Sequence, residues 1–364
     1  MRINEITLTG FRNYAKQSLN PGTGINFIVG QNGVGKTNFL EAIYVLGLSR
    51  SYKADDADLV MHGRDFAKVT AAIEGKNGSS MLTVILSEVG KKAVVNHTEI
   101  KRLSDYVGIL KVVAFTPDSL DLVKGSPVGR RAFLDVLLGQ SDKQYLAALS
   151  RYKTVLKQRN ELLKQAQIRQ TIDETLLGVY DAQLAEPGDI VKQKRDTFLR
   201  SIGEAAAIEY RQLTTKNETL GLVYEPSAPE TMLKLLETKR KTDLSQGTTN
   251  FGPHRDDFRF TLSGIDANAV ASQGEVRLMV LAVTIALIAY LSALTGDTPV
   301  VLLDDVLSEL DKEKQNRLIK RLLFYQAQTI VTATTLTELD DRVFAGARTY
   351  HVDNGVIREE RQHG

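Results

Sequence analysis

Gly30-Gln31-Asn32-Gly33-Val34-Gly35-Lys36-Thr37 fits the pattern GxxxxGK[ST], and each residue type in it has a chemical use. Glycines let successive backbone N–H groups turn inward around phosphate oxygens. The N-terminus of a following helix adds partial positive charge. Lys36 has the reach for β and γ phosphates, and Thr37 offers a hydroxyl to Mg²⁺. The pattern carries this meaning only between a strand and a helix. Ile25 to Val29 is an apolar run with the length of a buried strand, and Phe39, Leu40, Ile43 and Leu46 mark one face of a helix. The expectation is a P-loop, with ATP and Mg²⁺ as its ligands.

A second constellation supplies carboxylates. Val300-Val301-Leu302-Leu303 reads as a buried parallel strand, and Asp304 and Asp305 emerge at its end, where ligands bind in open α/β sheets. Asp304 suits a Mg²⁺ contact through water. Asp305 suits orienting or deprotonating an attacking water. Ser272-Gln273-Gly274-Glu275 precedes a long apolar segment. It has the spacing of a capping box, and a helix N-terminus with Ser272 and Gly274 also suits a γ-phosphate; both readings can hold together. Phe11-Arg12-Asn13-Tyr14 is either an aromatic-flanked turn or a turn that sets Arg12 or Asn13 beside the nucleotide. His254, in Phe251-Gly252-Pro253-His254-Arg255-Asp256-Asp257, is either a satisfied loop histidine or a group near phosphate, the former being preferred.

Composition narrows the classes. The 364 residues exceed one average domain. With 46 basic and 44 acidic residues the net charge is only +2, so a nucleic-acid surface must be a local patch. No cysteine is present, which excludes disulfides and cysteine-based zinc sites, and the five histidines lack ligand spacing. The opening MRINEITLTG has no signal-peptide core, so a cytoplasmic protein is expected. Leu278 to Gly296 is uncharged and nearly long enough to span a membrane. A span there would separate Lys36 from Asp304, so a helix buried between two lobes is expected, with no membrane partner.

Elements that would position these groups can be read along the chain. Ile3, Ile6 and Leu8 open with a strand; Val69 to Ile73, Leu82 to Leu86 and Ala93 to Val95, separated by glycines, form a meander. Leu110 to Phe115 is a further strand. From about Ser141 to Gln167 the apolar spacing is helical, and Thr171 to about Thr215 is helical with a break expected at Pro187-Gly188. Together they predict a helical hairpin. Its first helix carries Arg151, Lys153, Lys157, Arg159, Lys164 and Arg169. That run is either a solvated face or a phosphate-contacting arm, with Arg130 and Arg131 as further DNA candidates or as packing residues. Asp311 could simply cap a helix beginning near Lys312. Thr329 to Ala333 is a strand, and His351 to Asp353 with Gly355 and Ile357 a closing hairpin.

The order of P-loop, SxGx motif, hhhhDD strand and Ser308-Glu309-Leu310-Asp311 resembles the ABC-class ATPases of the SMC type. The stretches PDSLDLVKGSPVGRRAFLD (Pro117 to Asp135) and LLDDVLSELDKEKQNRL (Leu302 to Leu318) are similar to those of the RecF family of bacterial DNA-repair proteins. The resemblance implies an α/β fold: an ABC/SMC-type P-loop ATPase head with mixed sheet (residues 1–116 and 296–364) and a mainly helical lobe (residues 117–295) carrying the hairpin and the signature motif. It implies an ATP-dependent homodimer that binds double-stranded DNA and gap junctions, hydrolyses ATP slowly, and helps RecO and RecR load RecA. It also implies that Ser272 and Gly274 act on the ATP of the opposite subunit and that Asp311 lines the dimer interface. Two departures stand out. Glu275 occupies a position where the family usually has glutamine, and Thr332 or Thr334 stands where ABC ATPases carry a histidine. An ATP-switched clamp without turnover, or a transporter ATPase subunit, would share the core motifs.

Overall fold

In the computed structural model, residues 1–227, 230–336 and 346–360 are described. They fall into two compact units. The first comprises Met1–Leu120, Ala206–Asn217 and Ser272–Gly364; the second comprises Asp121–Ala205 and Glu218–Ala271.

Two sheets build the first unit. One is antiparallel: Tyr14–Leu19, Arg2–Phe11, Phe66–Gly75, Gly78–Ser87, Gly90–Val95 and Thr98–Glu99, in that spatial order. Alternation in Arg2–Phe11, with Ile3, Ile6 and Leu8 fully buried, gives it one core face. The expected meander is its centre. The other sheet orders Val356–Glu359, Arg348–Asp353, Ile25–Val29, Thr329–Ala333, Val300–Leu303 and Val112–Phe115. All neighbours pair in parallel except the terminal hairpin. Ile25–Val29, Val300–Leu303 and Thr329–Ala333 are buried along their whole length, as unbroken apolar runs in a parallel sheet require. Thr329–Ala333 thus separates the P-loop strand from the strand that ends in Asp304 and Asp305.

The long apolar segment is the helix Gln273–Thr295. Two-thirds of its apolar window is buried. It belongs to the first unit and packs on Val112–Phe115, so the unit boundary lies before Ser272 and not near residue 296. Its all-round apolar surface is covered by its own unit's core, which explains why composition alone resembles a membrane span.

Helices dominate the second unit: Pro127–Ser141, Lys143–Arg169, most of Glu174–Leu213, and Met232–Gln246, with a small sheet of Ile265–Asp266, Asp257–Leu262 and Leu220–Glu225. The hairpin forms, since Arg159 meets Asp181 and Arg151 meets Glu186 across it. The expected break at Pro187-Gly188 does not occur. Helix Glu174–Leu213 runs through Pro187, whose flanking turns are held by Leu184 and Ala185 in a cluster with Tyr152, Val155, Met232, Leu235 and Leu236. Gly188 serves close approach: a Cβ there would lie 2.7 Å from Met232 Cγ and 3.2 Å from Tyr152 Cε2.

Candidate nucleotide site

The glycine loop leaves the strand Ile25–Val29 and ends at Gly35, which has φ 113° and N-caps the helix Lys36–Leu48. Gly35 is required on two counts. Its φ is one that side chains rarely adopt, and any Cβ there would collide with the Asn13 side chain. Gly30 is similarly confined, its added Cβ lying 2.6 Å from Val352 O.

The Phe11–Tyr14 turn braces this loop. Asn13 Nδ2 donates to Val34 O at 2.9 Å, Asn38 Nδ2 donates to Asn13 Oδ1 at 3.0 Å, and Tyr14 OH donates to Gly35 O at 2.9 Å. Arg12 adopts φ 53°. Its guanidinium donates to both carboxylate oxygens of the buried Glu41, at 2.9 and 3.0 Å, and to Asp58 O at 2.9 Å. Asn13 therefore touches the loop, while Arg12 is clamped to the P-loop helix.

Lys36 Nζ donates to Gly30 O and Gln31 O at 2.7 and 2.8 Å. Burial lowers its pKa, with Asp305 and Asp304 opposing the shift. Thr37 Oγ1 donates to Asp304 Oδ1 at 2.9 Å, which links the loop to the far strand. Thr332 Oγ1, at the end of the intervening strand, donates to the same oxygen at 2.7 Å and accepts from the Asp305 N–H at 2.8 Å. Burial pushes the Asp304 carboxyl up, against the pull of the bonds from Thr332 and Thr37. Asp305 has φ 51°, and among the described residues its buried Oδ1 has no hydrogen-bond partner.

A buried unpartnered carboxylate oxygen beside a desolvated carboxylate and a hydroxyl is costly unless something polar or cationic meets it. A Mg²⁺–triphosphate would meet that need. Among the described residues no cluster of three or more His, Asp or Glu could hold a metal alone. A hard dication here would take phosphate oxygens and water as its remaining ligands, as Mg²⁺ does.

Ser272 caps the helix Gln273–Thr295 in a complete capping box. Glu275 Oε2 accepts from Ser272 N at 2.8 Å and Ser272 Oγ at 2.7 Å, while Oε1 pairs with Lys216. These bonds hold its pKa at about 2. Gly274 has open space where a Cβ would project. Among the described residues, no hydrogen bond or ion pair joins Ser272 or Gly274 to the loop or to the two aspartates. Asp311 caps Lys312–Phe324, accepting from Lys314 N at 2.9 Å.

The candidate DNA-contacting cations divide. Arg159 is wholly buried and pairs with Asp181 at 2.7 Å and Asp243 at 2.8 Å. Arg130 is bidentate to Asp257 at 2.7 Å for both bonds, which is the packing alternative. Lys153 pairs with Asp135 and Arg151 with Glu186, and Lys157, Lys164 and Arg169 are exposed. His254 is the satisfied loop histidine: its ring nitrogens meet Tyr152 OH at 2.7 Å and Thr249 O at 2.9 Å, and burial lowers its pKa.

Sequence reasoning missed Glu41, the partner of Arg12. A lone carboxylate amid the apolar residues of the P-loop helix was the available signal. It also missed Lys53, which lies 3.8 Å from Glu41 and lowers the Asp304 pKa electrostatically.

The RecF/RecN/SMC N-terminal domain matches residues 2–357. The DNA replication and repair protein RecF of Latilactobacillus sakei is 41% identical, over 99% of this chain and 100% of that protein. That of Shouchella clausii is 42% identical, over 98% and 99%. A solved structure of the recombination mediator protein RecF with ATP in the RecFOR pathway superposes with a TM-score of 0.90 at 29% identity, covering 99% of this chain and 97% of that one. An SMC head bound to a winged-helix domain of ScpA shares the fold, with a TM-score of 0.58 and 17% identity over 100% of this chain and 98% of that one. The chain belongs to the RecF family within the RecF/RecN/SMC N-terminal domain family.

Proposed function

We propose that this protein is an ATP-dependent DNA-binding ATPase of recombinational repair and replication, closing as a homodimer over two triphosphates. The observation that carries the reading is the bonded chain Thr37–Asp304–Thr332–Asp305, which ties the phosphate loop to the paired aspartates through three adjacent parallel strands.

Backbone N–H groups of Gly30 to Lys36 would cradle phosphate, and Lys36 would exchange its carbonyl partners for β and γ oxygens. Thr37 and Asp304 would hold Mg²⁺, which when bound neutralises charge on the β and γ oxygens. Asp305, with an unsatisfied oxygen, would hold or deprotonate the attacking water. Thr332 takes the place of the histidine of other ABC ATPases. It fixes both aspartates but is a far weaker base than imidazole, which suits slow turnover. Ser272 and Gly274 would meet the partner's γ-phosphate; Lys216 and Ser272 turn the Glu275 carboxylate into its own helix, which relieves the repulsion that a free carboxylate would exert. DNA, including gap junctions, and the mediator proteins RecO and RecR are the partners this reading assigns, in the cytoplasm.

Asp305→Asn tests it. ATP affinity should be retained, turnover should fall by roughly 100-fold or more, and sedimentation should show a dimer accumulating with ATP. A variant that stays monomeric with ATP bound would overturn the dimer.

A further inference from the structure

Two sequence stretches, Pro127–Asp135 and Gly252–Asp257, are left without a role by the nucleotide site. In the second unit they come together around a pocket of about 220 Å³, lined by Val128, Arg131, Asp135, Lys153, Arg195 and His254 among others. Its walls are largely apolar, from Val128, Ala132, Leu149, Tyr152 and Pro253.

Charge in the pocket is unbalanced. Arg195 donates to Asp135 at 2.8 Å and to Pro253 O at 2.6 Å, and Lys153 pairs with the other oxygen of Asp135 at 2.9 Å. Arg131 makes one hydrogen bond, to Asp256 O at 2.9 Å, and among the described residues meets no carboxylate within ion-pair distance. Nearby carboxylates are already engaged: Asp257 by Arg130, and Asp256 by Tyr224 OH and Ser227 N. Burial and the neighbouring Arg195 lower the Arg131 pKa, against the pull of Asp257 and Asp256. Both ring nitrogens of His254 are engaged, and burial lowers its pKa. Among the lining residues, Arg131, Lys153 and Arg195 stand against Asp135, and beside them the charges of Asp256 and Arg255 act on Arg131 in opposite directions.

We propose that this pocket binds a phosphomonoester, with the sugar against the apolar wall and the phosphate on Arg131 and Lys153. A surplus of two positive charges matches a phosphomonoester, which carries about −1.5 to −2 at neutral pH. A carboxylate or a backbone phosphodiester brings one negative charge and leaves one of the two positive charges unmatched. Base recognition is disfavoured because Tyr152 OH and both His254 nitrogens are occupied. Two sources share this chemistry: the 5′-phosphate of a DNA end, as at a gap, and a free sugar phosphate. The DNA source rests on the proposed DNA-binding function; the site itself does not.

Both sources can be tested on the full chain with a saturating non-hydrolysable ATP analogue, so that the P-loop is filled and the triphosphate-bound state is populated. Fluorescence anisotropy would compare gapped duplexes carrying 5′-phosphate or 5′-hydroxyl at the gap. Calorimetry would compare deoxyribose 5-phosphate with deoxyribose. A preference for phosphate of roughly tenfold, the worth of one charge-assisted contact, is expected. Arg131→Gln should abolish it with affinity for the ATP analogue unchanged, and Lys153→Gln should reduce it; Lys153 is exposed, so that variant keeps the test valid if Arg131→Gln misfolds. Preference in the DNA arm identifies an end-binding site, and preference only in the sugar-phosphate arm identifies a small ligand. Failure of any gapped duplex to bind would sink the DNA function while leaving the calorimetric arm to decide the site. Equal binding of phosphate and hydroxyl forms in both arms, or a preference untouched by both substitutions, would overturn the proposal.

Discussion

Single residues in the nucleotide site trade stability for chemistry. Asp304 is buried and its carboxyl is pushed up, so its ionised form is held at a cost that rises as pH passes from its unfolded to its folded pKa. Asp304→Asn keeps an oxygen for Thr37 and Thr332 and removes the charge. Its expected outcome is a higher unfolding midpoint at pH 7 in the absence of nucleotide, together with loss of ATP turnover; a lower midpoint would contradict the electrostatic account. Glu275 has the opposite sign. Its pKa is depressed to about 2 from an ordinary 4.5, so its contribution is complete above pH 4.5 and vanishes as pH falls through about 2. Thermal unfolding against pH should show wild type above Glu275→Gln near neutrality, with the two curves converging in acid.

At the scale of elements, the hairpin of Lys143–Arg169 and Glu174–Leu213 is held by a buried ionic cluster. Arg159 joins Asp181 and Asp243, and Arg240 joins Asp181 at 2.7 Å. Removing one partner leaves buried carboxylates uncompensated, so Arg159→Met should destabilise by roughly 3–5 kcal/mol, measurable by denaturant unfolding. Replacing Gly188 by alanine gains about 1 kcal/mol of helix propensity but forces Met232 and Tyr152 to move, at about 1–3 kcal/mol. A net loss is expected. These contacts also revise the DNA surface. A charge reversal at Arg159 would report on folding, whereas Lys157→Glu with Lys164→Glu changes exposed cations only. If the hairpin touches DNA, that pair should weaken binding and flatten its salt dependence by about one unit of log–log slope per lost phosphate contact; unchanged affinity would remove the helix from the interface.

Across the whole molecule, the P-loop, the paired aspartates and the capped Ser272 belong to one compact unit, yet among the described residues no hydrogen bond or ion pair joins Ser272 to the other two groups. On the proposed reading, a second copy supplies the missing half. Much of this was legible beforehand. The P-loop and the Asp304-Asp305 strand are local patterns in which composition, spacing and flanking periodicity agree, so the expected elements formed. Arg159 was legible in principle, because Tyr152, Val155, Arg159, Leu163 and Ala166 recur at threes and fours and all are buried. Counting basic residues along the helix hid that stripe. Pro187 misled because a proline's local cost is small beside the apolar cluster that holds the helix through it.

Residue order by itself determined the phosphate loop, the carboxylate pair and the strands and helices that carry them, since each depends on neighbours within a few positions. Tertiary structure alone decided that Thr37 and Thr332 share one oxygen of Asp304, that Arg12 answers to Glu41, and that Arg131 meets no carboxylate within ion-pair distance among the described residues. Those facts join residues distant in the chain, 267 positions apart for Thr37 and Asp304, and only packing selects which polar groups meet and which remain unsatisfied.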